Sequence, residues 1–137
     1  MRLSKVIINT DGACWGNPGP GAVGAILKDA RGKVVASVSR AIGQTTNNQA
    51  EYRAVIAALE TALGLGASII ELRSDSELLV RQIDGEYRVK NVSLKPLHQR
   101  VKDLQKQFSS FTIKHVPDEE NSEAHNLASK ALKKHSL

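Results

Sequence analysis

Three acidic residues, Asp11, Glu51 and Asp75, have the sequence surroundings expected of a shared metal centre. Asp11 follows the β-branched run 6–10, and Asp75 follows the apolar segment 68–73. Each of these two acids is therefore predicted to close a strand. Sites in open α/β sheets gather beyond the carboxyl ends of central strands, so we expect the two carboxylates to be neighbours.

Glu51 lies in the first turn of a predicted helix over residues 49–65, which is rich in alanine and leucine. Apolar residues follow it at spacings of three, four, seven and eleven: Ala54, Val55, Ala58 and Ala62. Glu51 therefore shares the face that packs on the sheet. A carboxylate pointing inward needs compensation, which the positive helix end gives modestly and a divalent cation shared with Asp11 and Asp75 gives far better.

Each acid also has an ordinary structural interpretation. Asp11 suits a turn, Asp75 suits a helix cap, and Glu51 suits a partner of the helix dipole. Taken singly, these interpretations are preferred. Taken together they lose weight, because the predicted topology brings all three acids to one end of the sheet, where unneutralised carboxylates repel each other. Oxygen-only ligands indicate Mg²⁺ or Mn²⁺ and not zinc.

The elements that position these acids follow the predicted order β-β-β-α-β-α-α-β-α. We predict strands at 6–10, 22–28, 33–42, 68–73 and 111–116, and helices at 49–65, 76–83, 96–107 and 122–134. Residues 117–120 are predicted to form a loop, and Asn121 is predicted to cap the last helix. A strand–helix–strand crossover places the fourth strand parallel to an earlier one. The sequence thus predicts an α/β (α+β) fold, a five-stranded mixed sheet flanked by helices, in one domain over 1–137.

Net charge, cysteine content and hydropathy indicate which kind of partner and which cellular compartment the protein has. The net charge of +5 and the pI of about 9.5 favour a polyanionic partner, and a moderately basic solvated surface is the structural alternative. A single cysteine, Cys14, fits a reducing compartment. Residues 1–10 lack the apolar core of a signal peptide, and no apolar run approaches the roughly 20 residues of a membrane span. We expect a soluble cytoplasmic protein without a membrane or obligate protein partner, and a monomer.

Four short motifs include or follow the three acids, and their positions span almost the whole chain. They are DGACWGNPGPG from Asp11, TTNNQAEY from Thr45, Ser74-Asp75-Ser76, and His115-Val116-Pro117 followed by Asn121 and Ala124. In this order they resemble the motifs of the type 1 ribonuclease H family. Each motif alone is weak, whereas four in the family's order are specific.

The resemblance implies a ribonuclease H fold and hydrolysis of the RNA strand of an RNA–DNA hybrid, leaving 5′-phosphate and 3′-hydroxyl ends. It implies two metal ions at the scissile phosphate, one activating the attacking water and the other stabilising the departing 3′ oxygen. In that scheme Asp11 bridges the two Mg²⁺ or Mn²⁺ ions, and Glu51 and Asp75 each hold one.

The resemblance also implies substrate contacts. Positions that match contacts to the minor groove of the hybrid are the backbone of Gly12, Ala13 and Cys14 and the side chains of Asn17 and Asn48. Contacts of this kind read the 2′-hydroxyl that separates RNA from DNA. Thr46 and Asn91 match a pocket for a phosphate of the DNA strand. Helix capping is the structural alternative for the Thr-Asn run, and both roles are compatible.

The sequence departs from the family at His125, which follows Ala124 where a fourth acid is usual. A neutral imidazole can ligate a metal or orient a metal-bound water, but it supplies no negative charge, so the second ion should be held more weakly. A nitrogen ligand favours Mn²⁺ over Mg²⁺, and activity should fall at mildly acidic pH. The alternative is a polar residue at the rim of the site with no catalytic part. The segment between the predicted helices at 76–83 and 96–107 is also too short for the extra helix and basic handle that longer members of the family carry there.

Three functions remain open from the sequence. The first is a hybrid-specific endoribonuclease. The second is a ribonuclease H-like domain that binds nucleic acid without cutting it, which His125 keeps open and the three acids argue against. The third is a junction-cleaving or strand-transfer nuclease on the same fold, against which the motifs around Asn17 and Asn48 argue.

Overall fold

The computed structural model describes residues 4–135 and contains a mixed sheet beside α-helices. The strands are β1 (Lys5–Cys14), β2 (Gly19–Asp29), β3 (Val34–Thr45), β4 (Ile69–Ser74) and β5 (Ser110–His115). The helices are α1 (Asn47–Gly64), α2 (Glu77–Ile83), α3 (Lys95–Gln105) and α4 (Ser122–His135). A short 3₁₀ helix (Asp118–Glu120) precedes α4, where the sequence predicted only a loop.

The five strands lie in the order β3-β2-β1-β4-β5. β1 pairs antiparallel with β2 and parallel with β4, and β5 runs parallel to β4. The predicted five-stranded mixed sheet and its parallel crossover are therefore confirmed. β1, which contains Asp11, is the central strand, and β4, which Asp75 follows, is its neighbour. Within residues 4–135, no helix has both the length and the apolar character needed to cross a bilayer.

The prediction that Asp11 closes the first strand is wrong. The parallel pairing of β1 with β4 does stop at Thr10, opposite Ser74. The antiparallel pairing with β2 continues through Asp11, opposite Gly24, as far as Cys14. Residues 19–21 also belong to β2, because they pair with residues 43–45 of β3, and Gly21 pairs with Cys14 of β1 as well.

Helix α1 begins two residues earlier than predicted because Thr46 closes a capping box. The Gln49 backbone N–H donates to Thr46 Oγ1 (3.2 Å), and the Thr46 backbone N–H donates to Gln49 Oε1 (3.1 Å). Glu51 therefore lies in the second turn and not in the first. The dipole at the helix end falls off within the first turn, so it compensates the Glu51 charge less than expected.

The helices cover the two faces of the sheet. The larger core lies between the sheet and α1, α2 and α3, with Tyr52, Leu59, Ile70 and Leu72 among its fully buried side chains. Helix α4 covers the other face, over β1, β2 and β3. Its apolar stripe buries Ala124, Ala128, Ala131 and Leu132.

Two glycines beside the first acid let helices approach the sheet closely. A methyl group built at Gly12 would lie 2.5 Å from the backbone nitrogen of Glu51. A methyl group built at Gly24 would meet the backbone carbonyl oxygen of Ala124 and lie 2.5 Å from the backbone nitrogen of Ala128. Since Gly24 is the strand partner of Asp11, both contacts bring helix backbone to the position of the acid.

We expect Gly24→Ala to destabilise the protein by about 1–3 kcal/mol, because the added methyl group meets the backbone of α4 and not a flexible side chain. Urea unfolding followed by circular dichroism measures the change. Gly64→Ala is the matched control, since a methyl group there meets nothing within 4 Å and alanine favours the helix. Equal stability of the two variants would contradict the close packing of α4 on β2.

Candidate active site

The three acids meet where the parallel pairing of β1 with β4 ends. One carboxylate oxygen from each of Asp11, Glu51 and Asp75 lies within 4.8 Å of the other two. Asp11 comes from within β1, Glu51 from α1, and Asp75 from the residue after β4. Asp11 is buried, at 7% exposure, and the other two are half-buried. The convergence expected from the topology is therefore present in the structure.

Local hydrogen bonds fix the elements that carry the second and third acids. The Gly12 backbone N–H donates to Glu51 Oε1, joining α1 to β1 at the site. The Ser76 backbone N–H donates to Ser74 Oγ (3.0 Å), and Ser76 Oγ accepts from the Leu79 backbone N–H (3.3 Å) at the start of α2. Asp75 thus lies between a strand end and a helix cap, and its backbone is held on both sides.

The surroundings disfavour the ionised form of all three acids. Burial raises the pKa of Asp11, raises that of Glu51 well above its ordinary value, and raises that of Asp75. The charge of Asp11 raises the pKa of the other two further, while the Gly12 N–H partly lowers that of Glu51. A nearby positive charge would stabilise the ionised form of all three carboxylates. Because every ligand atom is an oxygen, the cluster fits a divalent cation such as Mg²⁺ or Mn²⁺.

His125 reaches the site from α4 and contacts one of the three acids. Its Nδ1 lies 3.0 Å from Asp11 Oδ2, and its Nε2 lies 3.4 Å from Ser129 Oγ. The side chain is 62% exposed. Among the described residues, the carboxylate cluster with converging ligand atoms consists of the three acids without the imidazole. The hydrogen bond from His125 lowers the pKa of Asp11, against the larger effect of burial.

The sequence did not predict the roles of two polar residues at this site. Asn121 precedes α4 as predicted, but its side chain binds β1: Nδ2 donates to the Thr10 carbonyl (2.8 Å), and Oδ1 accepts from Asn9 Nδ2 (3.1 Å). A hydrogen bond from Asn121 also lowers the pKa of Asp75. The other residue is Ser129, whose hydroxyl lies beside Nε2 of His125. Its only sequence signal is its position one helical turn after His125.

The remaining predicted residues divide between two cavities. The backbone segment Gly12, Ala13 and Cys14 lines a cavity of about 540 Å³ together with Asp11, Asp75 and His125. A second cavity of about 280 Å³ is lined by Asn17, Thr46, Asn48 and Asn91. The turn over residues 15–18 contributes Trp15 to the first cavity and Asn17 to the second, and Asn17 Oδ1 ties this turn to α1 by accepting from the Asn47 backbone N–H (3.1 Å).

Comparison with known sequences places the chain among related proteins over nearly its full length. The family described as reverse transcriptase-like matches residues 9–131. Ribonuclease HI of Halobacterium salinarum is 45% identical over 131 residues, which are 96% of this chain and 66% of that protein. A bifunctional protein of Mycobacterium tuberculosis is 40% identical over 93% of this chain, but this chain spans only 35% of it. A ribonuclease H of Rhodopseudomonas palustris is 35% identical over 98% of this chain and 97% of its own length.

Solved structures extend the similarity to the fold. The crystal structure of ribonuclease H1 from Halobacterium salinarum superposes with a TM-score of 0.94 at 43% identity, covering 96% of this chain and 99% of that chain. LC11 ribonuclease H1, solved in complex with an RNA/DNA hybrid, superposes with a TM-score of 0.92 at 37% identity and the same coverage. These similarities confirm the predicted fold class.

The raised pKa values predict that the metal-free protein loses stability as the pH rises. Below the ordinary carboxyl pKa of about 4, the three carboxyl groups are protonated in both the native and the unfolded state. Their contribution to the free energy of unfolding is then fully present. It is lost as the pH rises through the raised native pKa values of Asp11, Glu51 and Asp75. Divalent ions bind the ionised carboxylates only, so the gain in melting temperature on adding Mg²⁺ or Mn²⁺ should be near zero in acid and grow towards neutral pH.

Asp11→Asn provides the internal comparison for this measurement. In chelator at neutral pH the variant should melt above the parent, because one repelling charge is gone, and the difference should shrink in acid. The variant should also lose most of the stabilisation by ions. A gain in melting temperature that is independent of pH, or unchanged by Asp11→Asn, would contradict the carboxylate cluster as the ion site.

Proposed function

This chain belongs to the type 1 ribonuclease H family, and from that premise we propose that it is an endoribonuclease that hydrolyses the RNA strand of RNA–DNA hybrids. The observation that carries the proposal is the convergence of Asp11, Glu51 and Asp75 within 4.8 Å. The 37% identity to a ribonuclease H1 crystallised with an RNA/DNA hybrid supports the choice of substrate. α2 ends at Ile83 and α3 begins at Lys95 without a helix between them, which fits a short form lacking the basic handle.

The three carboxylates would hold two divalent ions, Mg²⁺ or Mn²⁺. When bound, the two ions supply the activation of the attacking water and the stabilisation of the departing 3′ oxygen, which yields 5′-phosphate and 3′-hydroxyl ends. Asp11 suits a bridging role because it is central and the most buried of the three. The Gly12 N–H holds Glu51 and the Asn121 amide holds Asp75, so each outer ligand is oriented by the chain itself.

Discrimination between RNA and DNA is proposed to come from the two cavities. The backbone of Gly12, Ala13 and Cys14 lies beside the acids, where it can bind the 2′-hydroxyl of the RNA strand. Asn17 and Asn48 line the neighbouring cavity and offer side-chain amides to the minor groove.

A phosphate of the DNA strand is proposed to bind in the second cavity at Thr46 and Asn91. The Asn91 carbonyl oxygen Oδ1 accepts from the Ser93 backbone N–H (2.8 Å), which fixes the side chain and leaves its amide nitrogen as a donor. Thr46 Oγ1 is the acceptor of the helix cap, so its hydroxyl hydrogen is available to an anion. Capping and phosphate binding are thus compatible at Thr46.

The competing function is a domain that binds hybrid without cleaving it. The observation in its favour is His125, an imidazole where the family usually has a fourth acid. Since three acids converge nevertheless, we rank cleavage first.

The test is incubation with hybrid, duplex RNA, duplex DNA and single-stranded RNA, in Mg²⁺ and in Mn²⁺. We expect cleavage of the hybrid alone, and a loss of several orders of magnitude in Asp11→Asn because the central ion ligand is removed. Glu60→Gln is the control, since Glu60 is an exposed acid on α1 that pairs with Arg100 (3.0 Å). Binding of hybrid without cleavage in either metal would establish the competing function instead.

The role of His125 is tested by paired substitutions. We propose that it ligates the second ion or orients its water, so His125→Ala should lower both Mn²⁺ affinity and rate. His125→Asp restores the acid usual in the family and should tighten ion binding and reduce the preference for Mn²⁺ over Mg²⁺. Isothermal titration calorimetry measures affinity separately from turnover. Unchanged affinity and rate in His125→Ala would leave the imidazole as an inert residue at the rim.

A further inference from the structure

The cavity that contains the carboxylates extends beyond the residues that the proposed chemistry uses. Asp11 and Asp75 line this space of about 540 Å³. Its other walls include Trp15, from the turn after β1, and Lys133, from the last turns of α4. We call the part between Trp15 and Lys133 the distal groove.

The charge along this cavity changes sign. His125, Ser129 and Lys133 are spaced four residues apart, so they lie along one face of α4. The helix rises about 1.5 Å per residue, so Lys133 lies about 12 Å along the axis from His125. A nucleic acid strand carries one phosphate per roughly 3.4 Å of duplex axis. A strand with one phosphate at the carboxylates therefore has a later phosphate, a few nucleotides away, at the distance of Lys133.

The Lys133 charge is available to such a phosphate. Among residues 4–135, Lys133 has no acidic partner within ion-pair distance, whereas Lys28 of β2 pairs with Glu123 of α4 at 2.8 Å. Lys133 is exposed and lines the cavity near Ser129. An unpaired lysine on the wall of a groove is suited to a phosphate contact.

Trp15 gives the same cavity an exposed aromatic surface. The side chain is 49% exposed although tryptophan is large and mostly apolar. Its backbone N–H donates to the Pro20 carbonyl (2.8 Å), so the start of the turn is anchored to β2. An indole held at the edge of a groove can pack on a sugar or base of any sequence.

From these observations we propose that the distal groove binds the RNA strand a few nucleotides from the scissile phosphate, with Lys133 contacting a phosphate and Trp15 packing on a nucleotide. This inference rests on the proposed function, because it assumes that the carboxylates hold the scissile phosphate. It adds to that function a second anchoring point on the cleaved strand, formed by residues that do not line the second cavity.

The test uses Asp11→Asn as a non-cleaving parent and measures hybrid binding by fluorescence anisotropy over a range of salt concentrations. Adding Lys133→Gln should weaken binding roughly fivefold and reduce the slope of log affinity against log salt by roughly 0.7–0.9, the release of about one counterion. Adding Lys130→Gln removes the same charge from the same helix, but Lys130 lines a different cavity beside Ile26 and Val34. We expect this control to leave the slope unchanged.

Trp15 reports on the groove directly, because it is the single tryptophan of the chain. Hybrid should protect its fluorescence from acrylamide quenching in the Asp11→Asn parent. The hybrid is then shortened stepwise, from one end or from the other. Shortening from one end only should abolish both the protection of Trp15 and the effect of Lys133→Gln, and that end is the one that the groove binds.

The outcomes separate the inference from the function on which it rests. If the Asp11→Asn parent binds hybrid but Lys133→Gln and Lys130→Gln behave alike and Trp15 stays equally quenched, the distal groove is overturned while the proposed function stands. If the parent does not bind hybrid at all, both are overturned.

Discussion

Repulsion among the carboxylates of Asp11, Glu51 and Asp75 is the constraint on which this structure depends. The acids lie within 4.8 Å of one another in surroundings that raise the pKa of each. The chain itself offsets part of this repulsion, through the N–H of Gly12, the amide of Asn121 and the imidazole of His125. None of these is a full positive charge held permanently at the centre, so a divalent cation remains the group that the cluster suits best.

Packing maintains the cluster against that repulsion. The absence of side chains at Gly12 and Gly24 allows α1 and α4 to contact the sheet on either side of Asp11. One helix then carries Glu51 and the other carries His125 to the same acid. The site is thus an outcome of how closely two helices can approach one strand, and the helices in turn are held by the apolar faces that bury Ala54 and Ala128.

The sequence was sufficient for the order of elements, the mixed sheet and the inward position of Glu51, because these follow from hydrophobic periodicity and crossover rules. The start of α1 was also readable, since Thr46 and Gln49 have the spacing of a capping box, although the prediction began at Gln49. The extension of β1 past Asp11 was not readable, because it depends on pairing with β2 on one side after pairing with β4 has ended. The contacts of His125 and Asn121 depend on how α4 is rotated about its own axis where it packs on Gly24. No local sequence pattern predicts this rotation.

The position of Asp11 inside a paired strand has a consequence for the entropy of ion binding. A ligand on a loop loses backbone freedom when the ion arrives, and this loss weakens the observed affinity. The backbone of Asp11 loses that freedom when the sheet forms, because Asp11 and Gly24 are partners in the ladder between β1 and β2. The entropy of ordering Asp11 is therefore part of the free energy of folding, and an ion bound there would meet a backbone that is already ordered.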